Sequence, residues 1–219
     1  MYNVAIYGAG RLGRQIYWLV DQYYGDSMHV VGFVDDVKAP GETIIDNVET
    51  LGSLQQAAAH EKYGPDRIRM IMAIGYLNMP GRREAFSRAK HCGYGFENVI
   101  HPQAHVEKDV QLGEGITVLA GAVLDQHVRV GDLAYFDIGV LIGEYSTIGM
   151  NNYFAAGTTV GGSVAVGCDN FFGLDTTLVN DITVGNNNFV NAKTLIAAPL
   201  DDNSQVIEVH QCREMRRST

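Results

Sequence analysis

Between residues 100 and 196 every sixth position is large and apolar: Ile100, Val106, Leu112, Val118, Leu124, Val130, Phe136, Ile142, Ile148, Phe154, Val160, Val166, Phe172, Leu178, Val184, Val190 and Ile196. The register never slips. The residue after each is often small or acidic (Glu107, Gly113, Asp125, Gly131, Gly143), and the fourth after is often small or β-branched (Val110, Ala122, Ala134, Ser146, Thr158). This is the pattern of a parallel β-helix, in which each hexapeptide supplies one short strand and one turn.

A second period gives the coil. Gly113, Gly131, Gly149, Gly167 and Gly185 stand 18 apart, as do Phe136, Phe154 and Phe172, and Asn152, Asn170 and Asn188. Three hexapeptides therefore close one triangular turn, and equivalent side chains stack at the strand spacing of about 4.8 Å. The apolar column fills the bore, while the recurring glycines and asparagines are expected at corners, where a left-handed backbone suits them. Alternating strands of an ordinary sandwich have period two and produce no 18-residue ladder. Stacked coils of this kind have a core only as an array.

Residues 1–95 carry a different pattern. Val4 to Tyr7 and His29 to Val34 read as strands, and Arg11 to Tyr24, with Leu12, Ile16, Leu19 and Val20 at helical spacing, reads as the helix between them. A helix over 53–60, a strand over 68–74 and a helix over 81–92 complete a small doubly wound sheet. Between the first strand and its helix lies Gly8-Ala9-Gly10-Arg11-Leu12-Gly13, a GxGxxG loop, and Asp35-Asp36 close the second strand. Glycines there let the backbone approach a phosphate at a helix N-terminus, and an acid at that distance accepts a ribose hydroxyl. Glycine used only for a tight turn remains an alternative. A nicotinamide oxidoreductase needs a larger sheet than these residues supply.

The chain has 219 residues and a net charge of −9, and its basic residues form no run longer than the spaced Arg213, Arg216 and Arg217. A nucleic-acid partner is not expected. Cys92, Cys168 and Cys212 are far apart and form no CxxC pair, which points to free thiols and away from zinc. Apolar runs fall short of the ~20 residues of a membrane span, and Met1-Tyr2-Asn3 lacks the basic head of a signal peptide. These features predict a cytoplasmic protein with no membrane partner and no metal.

A short Rossmann-like head followed by hexapeptide coils resembles the bacterial nucleotide-sugar acetyltransferases, the sialic acid O-acetyltransferase and bacillosamine or perosamine N-acetyltransferase group. The resemblance is carried by Tyr7-Gly8-Ala9-Gly10, Phe33-Val34-Asp35-Asp36, Ala73-Ile74-Gly75 with Asn78 and Arg82, Ile100-His101-Pro102, Ile142-Gly143, Ile148-Gly149 and Asn170-Phe171-Phe172-Gly173. It implies a left-handed β-helix, a homotrimer, acetyl-CoA as acyl donor along the crevice between adjacent coils, and a nucleotide-linked sugar held by the head. On that resemblance the sugar nucleotide meets Gly8, Gly10, Arg11, Gly13, Asp35, Asp36 and Gly75. The Gly162 amide meets the thioester carbonyl and would stabilise its oxyanion. Gly161, Ala192 and Ala197 leave room for the pantetheine arm. The expected division is a nucleotide-sugar-binding head over 1–95, a β-helix over 96–200 and a tail over 201–219.

The chain departs from the family at the chemistry. Glu144 stands where the family has its histidine base, Tyr145 follows it, Asp137 replaces an asparagine, and Val209-His210-Gln211-Cys212-Arg213 replaces the segment that closes over CoA. Glu144 reads either as the base, with burial and repulsion from Asp137 raising its affinity for a proton, or as a solvated turn acid, and the tail arginines read either as CoA-phosphate ligands or as part of a solvated tail. His127 lies one coil below Tyr145 and reads as a solvated turn residue or a crevice residue. The reaction so predicted is acyl transfer to a nucleotide-linked amino sugar, N- rather than O-acylation, for surface glycans. The alternative is a trimeric scaffold or sugar-nucleotide-binding protein without activity.

Overall fold

Every hexapeptide of the second half becomes a two-residue strand followed by a turn, and each strand pairs in parallel with the strand 18 residues on. The computed structural model describes residues 1–207. The strands stack into three sheets that fit a left-handed β-helix. The first face runs from Val99–Ile100 through Tyr135–Phe136 and Phe171–Phe172 to Gln205–Val206. The second runs from His105–Val106 to Leu195–Ile196, and the third from Gln111–Leu112 to Thr183–Val184. The first face continues past residue 200, because Gln205–Val206 pairs with Phe189–Val190 at an offset shortened by two residues.

The apolar column fills the bore as its period requires, with Phe136, Phe154 and Phe172 fully buried and stacked ring on ring at 5.2 and 4.9 Å. Each such side chain contributes about 1.5–3 kcal/mol of burial. The glycine and asparagine ladders serve differently from expectation. Left-handed backbone falls three residues after each apolar position from Leu112 to Val190, at Gly121, Gly139 and Gly157 and also at His127, Leu133, Tyr145 and Asn151. The 18-residue glycine ladder has no positive φ there. Gly149 is needed because a Cβ would lie 2.5 Å from the Gly167 carbonyl oxygen in the next coil. The asparagines are not exposed corner residues either. Asn152 and Asn170 are fully buried, and Asn152 donates to the carbonyls of Gly149 (2.8 Å) and Gly167 (2.7 Å). Its oxygen accepts from the Asn170 amide at 3.0 Å, so this ladder satisfies backbone groups inside the prism.

In the first half, β1 (Tyr2–Tyr7), β2 (Met28–Val34), β4 (Val48–Gly52) and β5 (Arg69–Met72) are parallel, and β3 (Thr43–Ile45) adds an antiparallel edge. Their order is β3-β4-β2-β1-β5. The short hairpin β3–β4 carries no alternation long enough to be seen in the sequence. Helices α1 (Arg11–Tyr24), α2 (Leu54–Ala59) and α3 (Met79–His91) follow β1, β4 and β5. Helix α2 starts at a Ser53–Gln56 capping box, and α3 ends with Arg88, Lys90 and His91, which suit the negative end of its dipole.

Polar clamps fasten this sheet to the coils. Tyr24 Oη donates to the Ile100 carbonyl at 2.6 Å, and Lys90 pairs with Glu114 at 2.9 Å. Arg82, 2 % exposed, donates to the Leu133 carbonyl and to Asn151 Oδ1 (2.6 Å). Asn151 in turn donates to the Met79 carbonyl (3.0 Å) and to Asp169 (2.8 Å), which is paired with Arg83. Burial pushes the Arg82 guanidinium down to about 10, which leaves it charged at neutral pH.

Candidate active site

Strand β1 lies between β2 and β5, so the loops leaving β1 and β5 diverge at a switch point, where open α/β sheets form their ligand crevice. Gly8 leaves β1 at φ 115°, with the Ala73 carbonyl oxygen 2.7 Å from where a Cβ would sit. Gly13 presses α1 onto this loop, since its Cβ would lie 2.0 Å from the Gly8 oxygen. At Gly10 nothing lies within 4 Å of the Cβ position. Gly10 is also the N-cap of α1, with no side chain capping it, so the helix start is open to a phosphate. Gly75, beside Leu12 at 3.9 Å, brings the second loop alongside. The structure thus gathers Gly8, Gly10, Gly13 and Gly75, with the exposed Arg11 at the helix start.

The two acids of this region are engaged by the protein itself. Asp35 accepts from the amides of Ala9 (3.0 Å), Val37 (3.0 Å) and Lys38 (3.3 Å). Asp36 accepts from the Leu54 amide (3.0 Å) and Tyr7 Oη (3.1 Å) and pairs with Arg88 at 3.0 Å. A carboxylate offers about four acceptor positions, so each acid has about one left for a ribose. Bracing the loops around the crevice is what they do within the chain. A hollow of about 910 Å³ lined by Asn3, His29, Val31 and Tyr63 lies at the opposite, amino ends of β1 and β2, the end away from the glycine loop.

On the coils the expected residues divide between two edges. Glu144, Gly161, Gly162 and Ala197 lie on the edge between the second and third faces. Glu144 is exposed, and its carboxylate lies across Gly162 in the next coil, 2.5 Å from where a Cβ would be. The Gly162 amide donates to Asn180 Oδ1 at 3.2 Å, and Asn180 Oδ1 also occupies the Cβ position of Gly161. The oxyanion role expected for the Gly162 amide thus meets a competing acceptor. The cause is the repeat itself, which puts an 18-residue-later side chain over that amide, as Asp132 sits over Glu114 and Asn186 over Cys168.

Asp137 and Ala192 lie on the other side of the second face, on the edge it shares with the first. Burial raises the Asp137 pKa above the usual carboxylate range, opposed by the Ile138 amide donating at 2.8 Å. Its charge reaches the buried, stacked Tyr135 and Tyr153 (4.4 Å), whose phenols burial pushes up. Tyr76, next to Gly75, stacks on Phe171 at 4.5 Å and tilts onto Tyr153 at 5.2 Å. Asp137 is therefore beside the aromatic wall that the head touches, while Glu144 is not. Neither the burial nor the neighbouring carboxylate expected to make Glu144 a base is present within one chain, because the second face separates the two edges.

Sequence analysis leaves His127 open as a solvated turn residue or a crevice residue; the structure pairs it with Asp109 on the Glu144 edge, a partner invisible without the coil register and signalled only by the 18-residue interval. Among the described residues no group of three or more His, Cys, Asp or Glu side chains gathers as a metal site. His210, Cys212 and the arginines 213, 216 and 217, with the expected CoA contact, lie outside the described residues.

No protein-family model matches the sequence, and no curated protein sequence matches it. Solved structures do. PerB from Caulobacter crescentus, in complex with CoA and GDP-perosamine, is 23% identical over 94% of this chain and 93% of its own, with a TM-score of 0.80. The acetyltransferase domain of PglB from Neisseria gonorrhoeae is 21% identical over 94% and 96%, with a TM-score of 0.76. WeeI from Acinetobacter baumannii is 17% identical over 95% and 97%, with a TM-score of 0.82. The likeness spans both halves of the chain and is one of fold.

Proposed function

We propose that this chain is an acyl-CoA-dependent transferase, with acetyl-CoA as donor and a nucleotide-linked amino sugar as acceptor, serving surface glycan synthesis in the cytoplasm. The observation that carries this reading is the joining, in one chain, of an uncapped glycine crevice to hexapeptide coils, in the same order and over the same length as a protein crystallised with CoA and a nucleotide sugar. The head, residues 1–95, is Rossmann-like. Its Gly8, Gly10, Gly13 and Gly75 backbone and Arg11 hold the diphosphate, and the remaining acceptor positions of Asp35 and Asp36 meet the ribose or base. The β-helix, which begins near 96 and continues past the expected end at 200 to Val206, is left-handed and binds the donor along the Glu144 edge, where Gly161, Gly162 and Ala197 leave the surface low. Ala192 does the same on the Asp137 edge.

The working unit is a homotrimer. The second face exposes Leu141 (43 %) and Leu195 (57 %), flanked by Ile138 (55 %) and Leu174 (52 %), an apolar stripe that a second copy would cover. Covering it would also bring the Asp137 edge of one copy toward the Glu144 edge of the next, joining what one chain separates. In that shared crevice Glu144 and Asp137 hold the acceptor amine by charge and hydrogen bonding. An amine with a pKa of roughly 8 has a useful neutral fraction at neutral pH, which favours N- over O-acylation in a site without the family's histidine at position 144.

The test is direct. The protein is incubated with acetyl-CoA and a panel of nucleotide-linked amino sugars while free CoA thiol is followed, and its mass is measured by light scattering. Thiol release with one sugar and a mass of about three chains supports the reading. Silence across the panel without CoA binding would leave the trimeric sugar-nucleotide-binding scaffold.

A further inference from the structure

The turn below Glu144 carries His127 in the left-handed conformation that recurs on all three edges, at Leu133, Asn151, Ser163 and Asp175 among others. On the Glu144 edge this turn position holds His127 at φ 61°, Tyr145 at φ 59°, Ser163 at φ 58° and Asp181 at φ 62°. The histidine is also oriented. Its Nδ1 lies 2.5 Å from Asp109 Oδ2, the same oxygen accepts the His127 backbone amide at 2.9 Å, and its ring lies 4.7 Å from that of Tyr145 at 33°. Asp109, His127 and Tyr145 are 18 residues apart, so the coil register alone makes this column.

We infer that His127, oriented by Asp109, is the general base of the acyl transfer proposed above, one coil below Tyr145, the neighbour of the position where the family resemblance places its base. The inference rests on the transferase reading. With Nδ1 donating to Asp109, Nε2 carries the lone pair that accepts a proton, and the carboxylate stabilises the imidazolium that forms. The acceptor nitrogen attacks the thioester carbonyl carbon, forming the C–N bond, and His127 Nε2 takes the proton that nitrogen sheds. As the tetrahedral intermediate collapses the C–S bond breaks, and His127 returns that proton to the CoA thiolate. The products are the N-acyl sugar and CoA thiol, with His127 neutral again. Glu144, exposed on the same edge, is left to hold the amine.

The left-handed backbone supplies a clean test, because His127→Gly removes the imidazole at a position where glycine is unstrained, so folding is retained. In the coupled thiol assay H127G should lose at least about 100-fold in kcat, as loss of a matched base does, while acyl-CoA affinity by calorimetry is unchanged. Added imidazole should restore at least about tenfold of the loss. Asp109→Asn keeps the oxygen that both His127 groups share but removes the charge that stabilises the imidazolium, so it should lower kcat with both Michaelis constants unchanged. An active wild type whose H127G variant keeps kcat within about threefold, or is not rescued by imidazole, would overturn the dyad and leave the transferase reading standing. A wild type inactive on every amino sugar would overturn both.

Discussion

Arg82 is the side chain whose removal should most affect the attachment of the head to the coils. It is fully buried between α3 and the edge of the third and first faces, and it satisfies the Leu133 carbonyl and Asn151 Oδ1 at once. Its Nε has no partner among the described residues, so the guanidinium is held at some desolvation cost. Arg82→Ala strands two buried acceptors, at about 1–3 kcal/mol each, and opens a cavity, while relieving that desolvation. The net expectation is a loss of about 3–5 kcal/mol, the usual consequence of removing one member of a buried charged network. Arg82→Met refills the volume but not the hydrogen bonds, and should recover only the cavity part, about 1–2 kcal/mol. Both are measured by urea unfolding, with circular dichroism for the helices of the head and tyrosine fluorescence for the Tyr135–Tyr153 stack. Arg82→Ala should also separate the two transitions, because Leu133 and Asn151, at φ 62° and 58°, lose the group that holds their turns. A loss below about 1 kcal/mol, or two probes that still unfold together, would refute the assignment of Arg82 as the clamp.

Gly10→Val places its side chain in open space, so the fold and its melting temperature should be kept while calorimetric affinity for a nucleoside diphosphate sugar falls at least about tenfold; undiminished affinity would put the nucleotide elsewhere. Asp137→Asn should stabilise the protein near neutral pH. The folded state raises the Asp137 pKa, so the unfolded chain ionises first and stability falls as pH rises from about 4 through the folded value. The variant should match wild type below about pH 4 and exceed it above, and a constant difference across pH would show that ionisation of Asp137 is not the cause.

The β-helix was legible in the sequence because its cause is periodic. A bore that admits one inward side chain per strand demands an apolar residue every six positions, and Ile100 through Ile196 supply it without a gap. Helix α1 was legible for the same kind of reason, with its apolar positions at helical spacing and glycines at its start. What the ladders were for was not legible. Composition marks Asn152, Asn170 and Asn188 and the glycines of the 18-residue ladder, but only the stacked coils show that the asparagines point inward to carbonyls and that the glycines yield to the next coil's backbone.

The candidate site shows the same division. The sequence by itself marked the glycine loop, in which Gly13 is held to glycine by the Gly8 carbonyl only five residues away. The tertiary structure decided the partners of these charged groups, because the contacts join residues 18 to 86 positions apart: Asp36 to Leu54 and Arg88, Arg82 to Asn151, Arg83 to Asp169, His127 to Asp109. It also decided that Asp137 and Glu144, seven positions apart in the chain, stand on different edges of the prism. A hexapeptide turns the backbone through one corner, so residues close in sequence are sent to different faces while residues a full coil apart are brought into contact.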